Sequence, residues 1–418
     1  LPYQRLLIIS YHALPLDVVA SYRTKGYCDY LFENEVFPTL VTHIWEKDEN
    51  MQWRNHDKND EVKYKSTETH NVIMLPRPTE KIGSQSVFKT IMHWAAGDLE
   101  THLKESKEIF KNFLFSHLKE NQYDGVLAIF SPHFHLKLAF EINKEFGIPY
   151  VLDFRDLWDN QVVTQSYSPS FKKKVQDAII KYHWRKWLRN SLFFVTTSTK
   201  WTIYLEGLSN KKGFIIPNGH ELFEIGKSKN QEEFKLTYFG RIYSDQNLNL
   251  ILEGIGEFLK KVKPKKFKLL LIGIKQTEEF DGLQYVLSQI ESEYVQIIDY
   301  LPKQELMDLC RNEATMFFLP SFYEDNGQFM VKLYDFVALG KPTIISPAVD
   351  SDMEVLVNET NAGIILNSAN SVASYLEKQY NYFLNHGQAN NDFDTVKVLD
   401  YHRQNHVKSF SDLWKNNL

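Results

Sequence analysis

KLTYFGR, residues 235–241, is a short apolar run that ends in glycine and arginine. By itself it reads as one β-strand, being too short for a helix and rich in strand-forming residues. What it says about the fold comes from its place in the chain. It starts a second series of strands after a first series has already run. The first series is RLLIIS (5–10), FPTLVTH (37–43), NVIMLP (71–76), GVLAIFSP (125–132), YVLDFRD (150–156) and LFFVTTS (192–198). The second continues with KLLLIG (268–273), VQIIDYL (295–301), ATMFFLPS (314–321), PTIIS (342–346) and AGIIL (362–366). Segments with helical spacing separate them, such as 100–121 and 249–262. Continuous β-branched runs alternating with helices indicate parallel sheets covered on both faces. The expectation is an α/β chain of two Rossmann-like domains facing across a cleft. The first spans 1–215 and is joined by a C-terminal helix at 398–418; the second spans 216–397. The junction is IIPNGHELFEIGKSKNQEE (215–233), with its Pro-Asn-Gly turn and polar tail.

Composition narrows the classes. The 418 residues suffice for two domains of about 200 each. The net charge of −5 carries no general pull toward nucleic acid. Two cysteines, Cys28 and Cys310, are too few for a disulfide framework, which makes a reducing cytoplasm the default. No run reaches the roughly 18 apolar residues of a membrane span. The opening LPYQRLLIISYH lacks a basic flank and reads as a first strand, not a signal peptide.

In doubly wound sheets ligands bind beyond the carboxyl ends of the strands, so the strand-to-helix loops matter most. No G-x-G-x-x-G follows the first strand, which argues against a dinucleotide oxidoreductase. Gly240 and Arg241 close the first strand of the second series. An arginine there has the donor fork to grip a diphosphate, or it is a surface residue pairing with Asp245. Pro320, Ser321 and Glu324 close the fourth strand, and EDNGQFMV (324–331) leads into KLYDFVALGKP (332–342). That last segment reads as an apolar helix ending at Gly340. Lys332 and Asp335 share its first turn: a structural salt bridge, or a phosphate and sugar-hydroxyl site. Gly327 would let backbone N–H groups approach a phosphate. DFRDLW (153–158) ends the fifth strand candidate, where three charges are costly if buried unpaired: they form an Asp-Arg pair bracing the strand end, or part of a site at the cleft. SPHFH (131–135) offers two histidines, but metal binding needs more ligands than stand nearby, and His133 reads as a polar cleft residue. The basic segment 171–190 carries Trp184 and Trp187. It is either a membrane-surface helix or the helix before the next strand.

The ordered set PYVLDFRDLW, VTTST, IIPNGHE, FGRIY, LLLIG, DYLP, PS–E and KLYDFVALGKP resembles retaining GT-B glycosyltransferases close to family 4, over nearly the whole chain. The resemblance implies a nucleotide-sugar donor held by the second domain, with UDP as the commonest carrier. Arg241 would hold the diphosphate, helped by Gly240. Backbone groups of Gly327, Gln328, Phe329, Met330 and Val331 would cradle phosphate and sugar. Asp335 would bind ribose, and Tyr300 lies in the segment that would meet the base. The acceptor, a glycan or lipid-linked sugar of a surface polysaccharide, would lie near Ala20, His133, Arg155 and Asp156. Such an enzyme would work in the cytoplasm, at the inner face of the membrane if 171–190 touches it.

The sequence departs from the family pattern at three places. The family's lysine after Gly-Arg is replaced here by Gln246, and Lys332 is the candidate to supply the missing charge. The first acid of the E-x7-E motif would fall at Gly327, and Glu324 stands three residues earlier. The glycine-rich first loop is missing. Arg241, Lys332 and Asp156 are the expected catalytic residues, in metal-independent transfer, since no acidic metal-binding cluster is evident. Two alternatives remain open: a nucleotide-sugar 2-epimerase on the same fold, and a non-catalytic GT-B partner subunit.

Overall fold

The structure is a computed structural model that describes residues 3–49, 51–57, 59–79, 87–157, 171–226, 230–243, 246–274, 281–322, 327–347 and 351–418. It divides into two compact units. The first comprises Leu1–Asn218, Asn326–Gln328 and Arg403–Leu418; the second comprises Gly219–Asp325 and Phe329–His402.

The first unit is an eight-stranded sheet. Its strands are β1 (Gln4–Ile9), β2 (Val36–His43), β3 (Lys63–Ser66), β4 (Asn71–Leu75), β5 (Gly125–Phe130), β6 (Tyr150–Phe154), β7 (Phe194–Thr196) and β8 (Gly213–Ile215). They lie in the order β3-β4-β2-β1-β5-β6-β7-β8, parallel except where β3 runs antiparallel to β4. Helices cover both faces, so the central strands read as unbroken apolar runs: Leu6, Leu7, Ile8 and Ile9 are all fully buried. The six expected strands are present, and two more join them. β3 was not legible because all four residues of KYKS are exposed. β8 is three residues long and begins just before what reads as the junction. DFRD therefore ends the sixth strand of this sheet, not the fifth.

Phe171–Asn190 is a single helix, but Trp184 and Trp187 are each 2% exposed and belong to the core. Trp184 packs edge-on against Phe130 and Phe154. The two aromatic side chains that would anchor this helix in a lipid surface thus face inward, which removes the main argument for membrane contact through 171–190.

The C-terminal helix Arg403–Asn417 completes the first unit. Its Trp414 is fully buried, and the indole lies against Gly125 at the start of β5. A Cβ at 125 would fall 1.9 Å from the Trp414 ring, closer than any real contact. Gly125→Ala is therefore expected to cost about 1–3 kcal/mol, the range for overpacking. The check is the urea midpoint followed by tryptophan fluorescence; an unchanged midpoint would refute this packing.

The second unit is a six-stranded, wholly parallel sheet. Its strands are β9 (Phe234–Phe239), β10 (Phe267–Ile272), β11 (Val295–Ile298), β12 (Met316–Pro320), β13 (Thr343–Ser346) and β14 (Gly363–Ile365), in the order β11-β10-β9-β12-β13-β14. Counted from its own first strand this is 3-2-1-4-5-6, the doubly wound Rossmann order. The helix Leu248–Val262 shows how the faces are covered. Ile251, Leu252, Ile255, Phe258 and Leu259 recur at helical spacing and are buried, while Lys260 and Lys261 suit the negative end of the helix dipole.

Strand order positions the sites. In the second sheet the winding reverses between β9 and β12. In the first it reverses between β1 and β5. The carboxyl ends of those four strands are the two places where connecting helices diverge and leave a crevice.

Candidate functional site

In the second unit the crevice is built around the end of β9. Phe239 is the last residue of the strand, and Gly240 takes φ +81, a left-handed turn that leads the chain off the sheet. The helix Lys332–Ala338 is fastened to this point by aromatic packing. Phe336 stacks on Phe317 of β12 with centroids 4.1 Å apart and meets Phe239 edge-on at 4.9 Å. That packing brings Lys332, the first residue of the helix, over the end of β9.

The Lys332 ammonium donates to the Tyr238 hydroxyl at 2.7 Å and to the Arg241 carbonyl at 3.1 Å. The Tyr238 hydroxyl donates in turn to the Arg241 carbonyl at 2.9 Å. The ammonium also lies 4.2 Å from the centre of the Tyr238 ring. Burial pulls the Lys332 pKa down to about 7. An anion arriving here would raise it again. The Arg241 side chain is exposed beside the ring of Tyr243; Asp245, its alternative partner, lies outside the described residues.

Gln246 is 4% exposed and held by its neighbours. Its Oε1 accepts from the Tyr243 N–H at 2.9 Å, and its Nε2 donates to the Pro320 carbonyl at 3.3 Å. It ties the loop after β9 to the end of β12 and brings no charge. Beyond β12 and β13 the hydroxyls of Ser321 and Ser346 are buried without a hydrogen-bond partner among the described residues. Buried unpaired hydroxyls are uncommon, and they fall at the strand ends where a ligand would sit.

Lys332 and Asp335 do not pair with each other. Asp335 takes a salt bridge from Lys303. The helix stops at Ala338, two residues before Gly340, whose φ of +64 ends the segment. Gly327 has φ +80 and, with Gln328, is counted in the first unit, while Phe329, Met330 and Val331 belong to the second. Phe329 stacks on Tyr334 at 4.5 Å, and Met330 is buried beside the Gln246 amide. Tyr300 follows β11 and is 53% exposed. Glu324 lies outside the described residues.

In the first unit the ends of β1, β5 and β6 carry His12, Ser131, His133, Arg155 and Asp156. His12 was not singled out by sequence reasoning, although its place directly after the first strand was the available signal. Burial first, and then the charge of Arg155, pull its pKa down to about 4. His133 is pulled to about 3 by burial, and its ring nitrogen accepts from the Trp184 indole at 3.1 Å. Both imidazoles are neutral at physiological pH and only weakly basic. Burial pushes Asp156 up while Arg155 draws it down. The Arg155 Nε is buried without a hydrogen-bond partner among the described residues. Ala20 is buried in the first turn of the helix Val19–Tyr30.

Asp153 is different in kind. It is fully buried and bound by Arg23 through two hydrogen bonds, of 2.6 and 3.0 Å, with the Tyr27 hydroxyl adding a third at 3.0 Å. The expected brace at this strand end exists, but its cation comes from 130 residues upstream. Arg23 also donates to the Ile216 carbonyl at 2.9 Å, which fastens the start of the Pro-Asn-Gly segment to the sheet.

Residues 221–394 match the family described as glycosyl transferases group 1. The second unit is a glycosyl transferases group 1 domain. Residues 221–394 thus carry the family's glycosyltransferase domain. Solved structures agree on the fold across the whole length. Sucrose-phosphate synthase from Thermosynechococcus elongatus aligns with a TM-score of 0.61 at 15% identity, covering 99% of this chain and 96% of that one. The E. coli trehalose-6-phosphate protein bound with UDP-2-fluoro glucose gives 0.62 at 12%, covering 99% and 98%. Anabaena HepE in complex with UDP-glucose gives 0.58 at 11%, covering 100% of both chains. At these identities the likeness establishes the fold, which is GT-B. No curated protein matches in sequence. No described helix is long and apolar enough to cross a membrane.

The switch point of the group 1 domain thus gathers Gly240, Arg241, Lys332 and Asp335 around one strand end, with Ser321 beside them. Tyr300 stands two strands away, after β11.

Proposed function

We propose that this chain is a retaining glycosyltransferase that moves a sugar from a UDP-sugar to a glycan or lipid-linked acceptor in the assembly of a surface polysaccharide, working in the cytoplasm. The observation that carries the reading is the Lys332 ammonium at the β9 switch point of a group 1 domain. It donates to Tyr238 and Arg241, and an ammonium has a third N–H that would serve an incoming oxyanion. Departure of a nucleoside diphosphate builds negative charge on the leaving oxygens. A preorganised ammonium and the adjacent Arg241 guanidinium would stabilise that charge. Gln246, locked to backbone groups, leaves this task to Lys332. Asp335, one turn along the helix, would accept from the ribose hydroxyls. HepE and the E. coli relative, which share the fold, were solved with UDP-glucose and a UDP-sugar analogue. His12, His133, Arg155 and Asp156 would hold the acceptor on the first unit, with Asp156 accepting from its hydroxyl.

Calorimetry with UDP, GDP and ADP tests the donor half. UDP is expected to bind, and Asp335→Ala to weaken it by about 1–3 kcal/mol, the range for hydrogen bonds to a charged group. If Asp335 serves only Lys303, the variant will lose stability and keep its affinity. If none of the three nucleotides binds at millimolar concentration, the proposal fails.

A further inference from the structure

The opposite edge of the second sheet holds a cavity that the proposed transfer does not use. Its volume is about 210 Å³. Gln231, Thr315 and Pro342, each just before β9, β12 or β13, line it together with Lys341, Asn391 and Phe393. These are the amino ends of three neighbouring parallel strands, so the cavity lies across the sheet from Gly240 and Ser321.

Two groups in it are unaccounted for. Lys341 is 5% exposed, and its ammonium has no hydrogen-bond or ion-pair partner among the described residues. Asn391 donates its amide to the Gly340 carbonyl at 2.5 Å, which fixes which end is oxygen, and its Oδ1 is left buried and without a partner among the described residues. An acceptor buried without a partner is costly, and a cation on a nearly buried side chain with no counter-ion among the described residues favours an anion in the cavity. Among the described residues no carboxylate lines the cavity. Burial draws Lys341 down to about 8, with the Cys310 thiol opposing the shift, which still leaves it mostly charged at neutral pH.

We propose that this cavity binds a small phosphate species, its anionic oxygens on Lys341 and a hydroxyl donor on the Asn391 oxygen. The volume is below the usual range for drug-sized ligands and suits a small anion. The donor comes either from a protonated phosphate oxygen or from a hydroxyl of a phosphorylated sugar. This site is independent of the nucleotide reading above.

The test is calorimetric titration of the full chain with inorganic phosphate and with glucose 6-phosphate, using wild type, Lys341→Met and Asn391→Asp. Saturable binding of at least one probe is expected in wild type. Lys341→Met should weaken it about 10- to 150-fold, as loss of a charge-assisted contact does. Asn391→Asp should weaken it too, by placing a carboxylate against the anion, and it decides the matter if Lys341→Met fails to fold. Tighter binding of the sugar phosphate assigns the hydroxyl to the sugar; equal binding assigns it to phosphate itself. Either ranking supports the site. Absence of binding by both probes at about 10 mM, or equal affinity in wild type and the variants, overturns it. UDP titrations on the same samples are expected to be unchanged by both substitutions, and a failure of UDP to bind would count against the donor site alone.

Discussion

Lys332→Met is expected to lower sugar-transfer turnover about 100- to 1,000-fold, the scale of losing one preorganised donor to developing charge. The fold should survive, because the methionine keeps the side chain's apolar length beside Tyr238. The pH profile gives a sharper test, because one group has opposite effects on activity and stability. Burial holds the folded pKa near 7, against an ordinary value of 10.5. As pH rises through about 7 the free protein loses the ammonium, so kcat/KM should fall. Stability should move the other way. Between about 7 and 10.5 the unfolded chain binds more protons than the folded one, so stability rises with pH across that window. Lys332→Arg, charged throughout, should abolish the alkaline fall in kcat/KM. A Lys332→Met variant with wild-type turnover would remove Lys332 from the mechanism and leave Arg241 as the candidate cation.

Arg23→Met is expected to give the largest loss of stability. Arg23 is 4% exposed and Asp153 is fully buried. Removing the cation leaves a carboxylate in the sheet interior that keeps, among the described residues, the Tyr27 hydroxyl bond and the charge of Arg155. Breaking such a pair from one side costs about 3–5 kcal/mol. In a unit of this size each kcal/mol lowers the melting temperature by about 2–4 °C, so a fall of roughly 10 °C is expected in thermal unfolding. The substitution also frees the Ile216 carbonyl that Arg23 holds. Arg23→Met combined with Asp153→Leu should recover much of the loss, because no buried charge then stands alone. A single variant that melts like wild type would mean that water reaches Asp153, contrary to the burial seen here.

The expected strands were legible because they are buried on both faces. A parallel sheet covered by helices needs unbroken apolar runs, and Leu6–Ile9 or Leu269–Ile272 have no other physical reason to be so apolar. The edge strand Lys63–Ser66 has no such signature, since its partners are backbone groups and water. Gly240, Lys332 and Asp335 could be named as site candidates because a ligand crevice lies beyond strand ends, and strand ends can be read from where the apolar runs stop.

Partnership could not be read in this way. Lys332 and Asp335 are three positions apart and seemed a pair, yet one goes to Tyr238 and the other to Lys303. Asp153 is braced by Arg23, from the other end of the first half of the unit. Trp184 and Trp187 read as well for a membrane surface as for a core, and only their packing on Phe130, Phe154 and His183 decided. The sequence by itself determined the two doubly wound sheets, because burial acts residue by residue along the chain. Tertiary structure alone decided which charge meets which, and that Lys341 finds no counter-ion among the described residues. Pairing depends on distances of a few ångströms between residues that may stand a hundred or more positions apart, and sheet order, not sequence order, sets those distances.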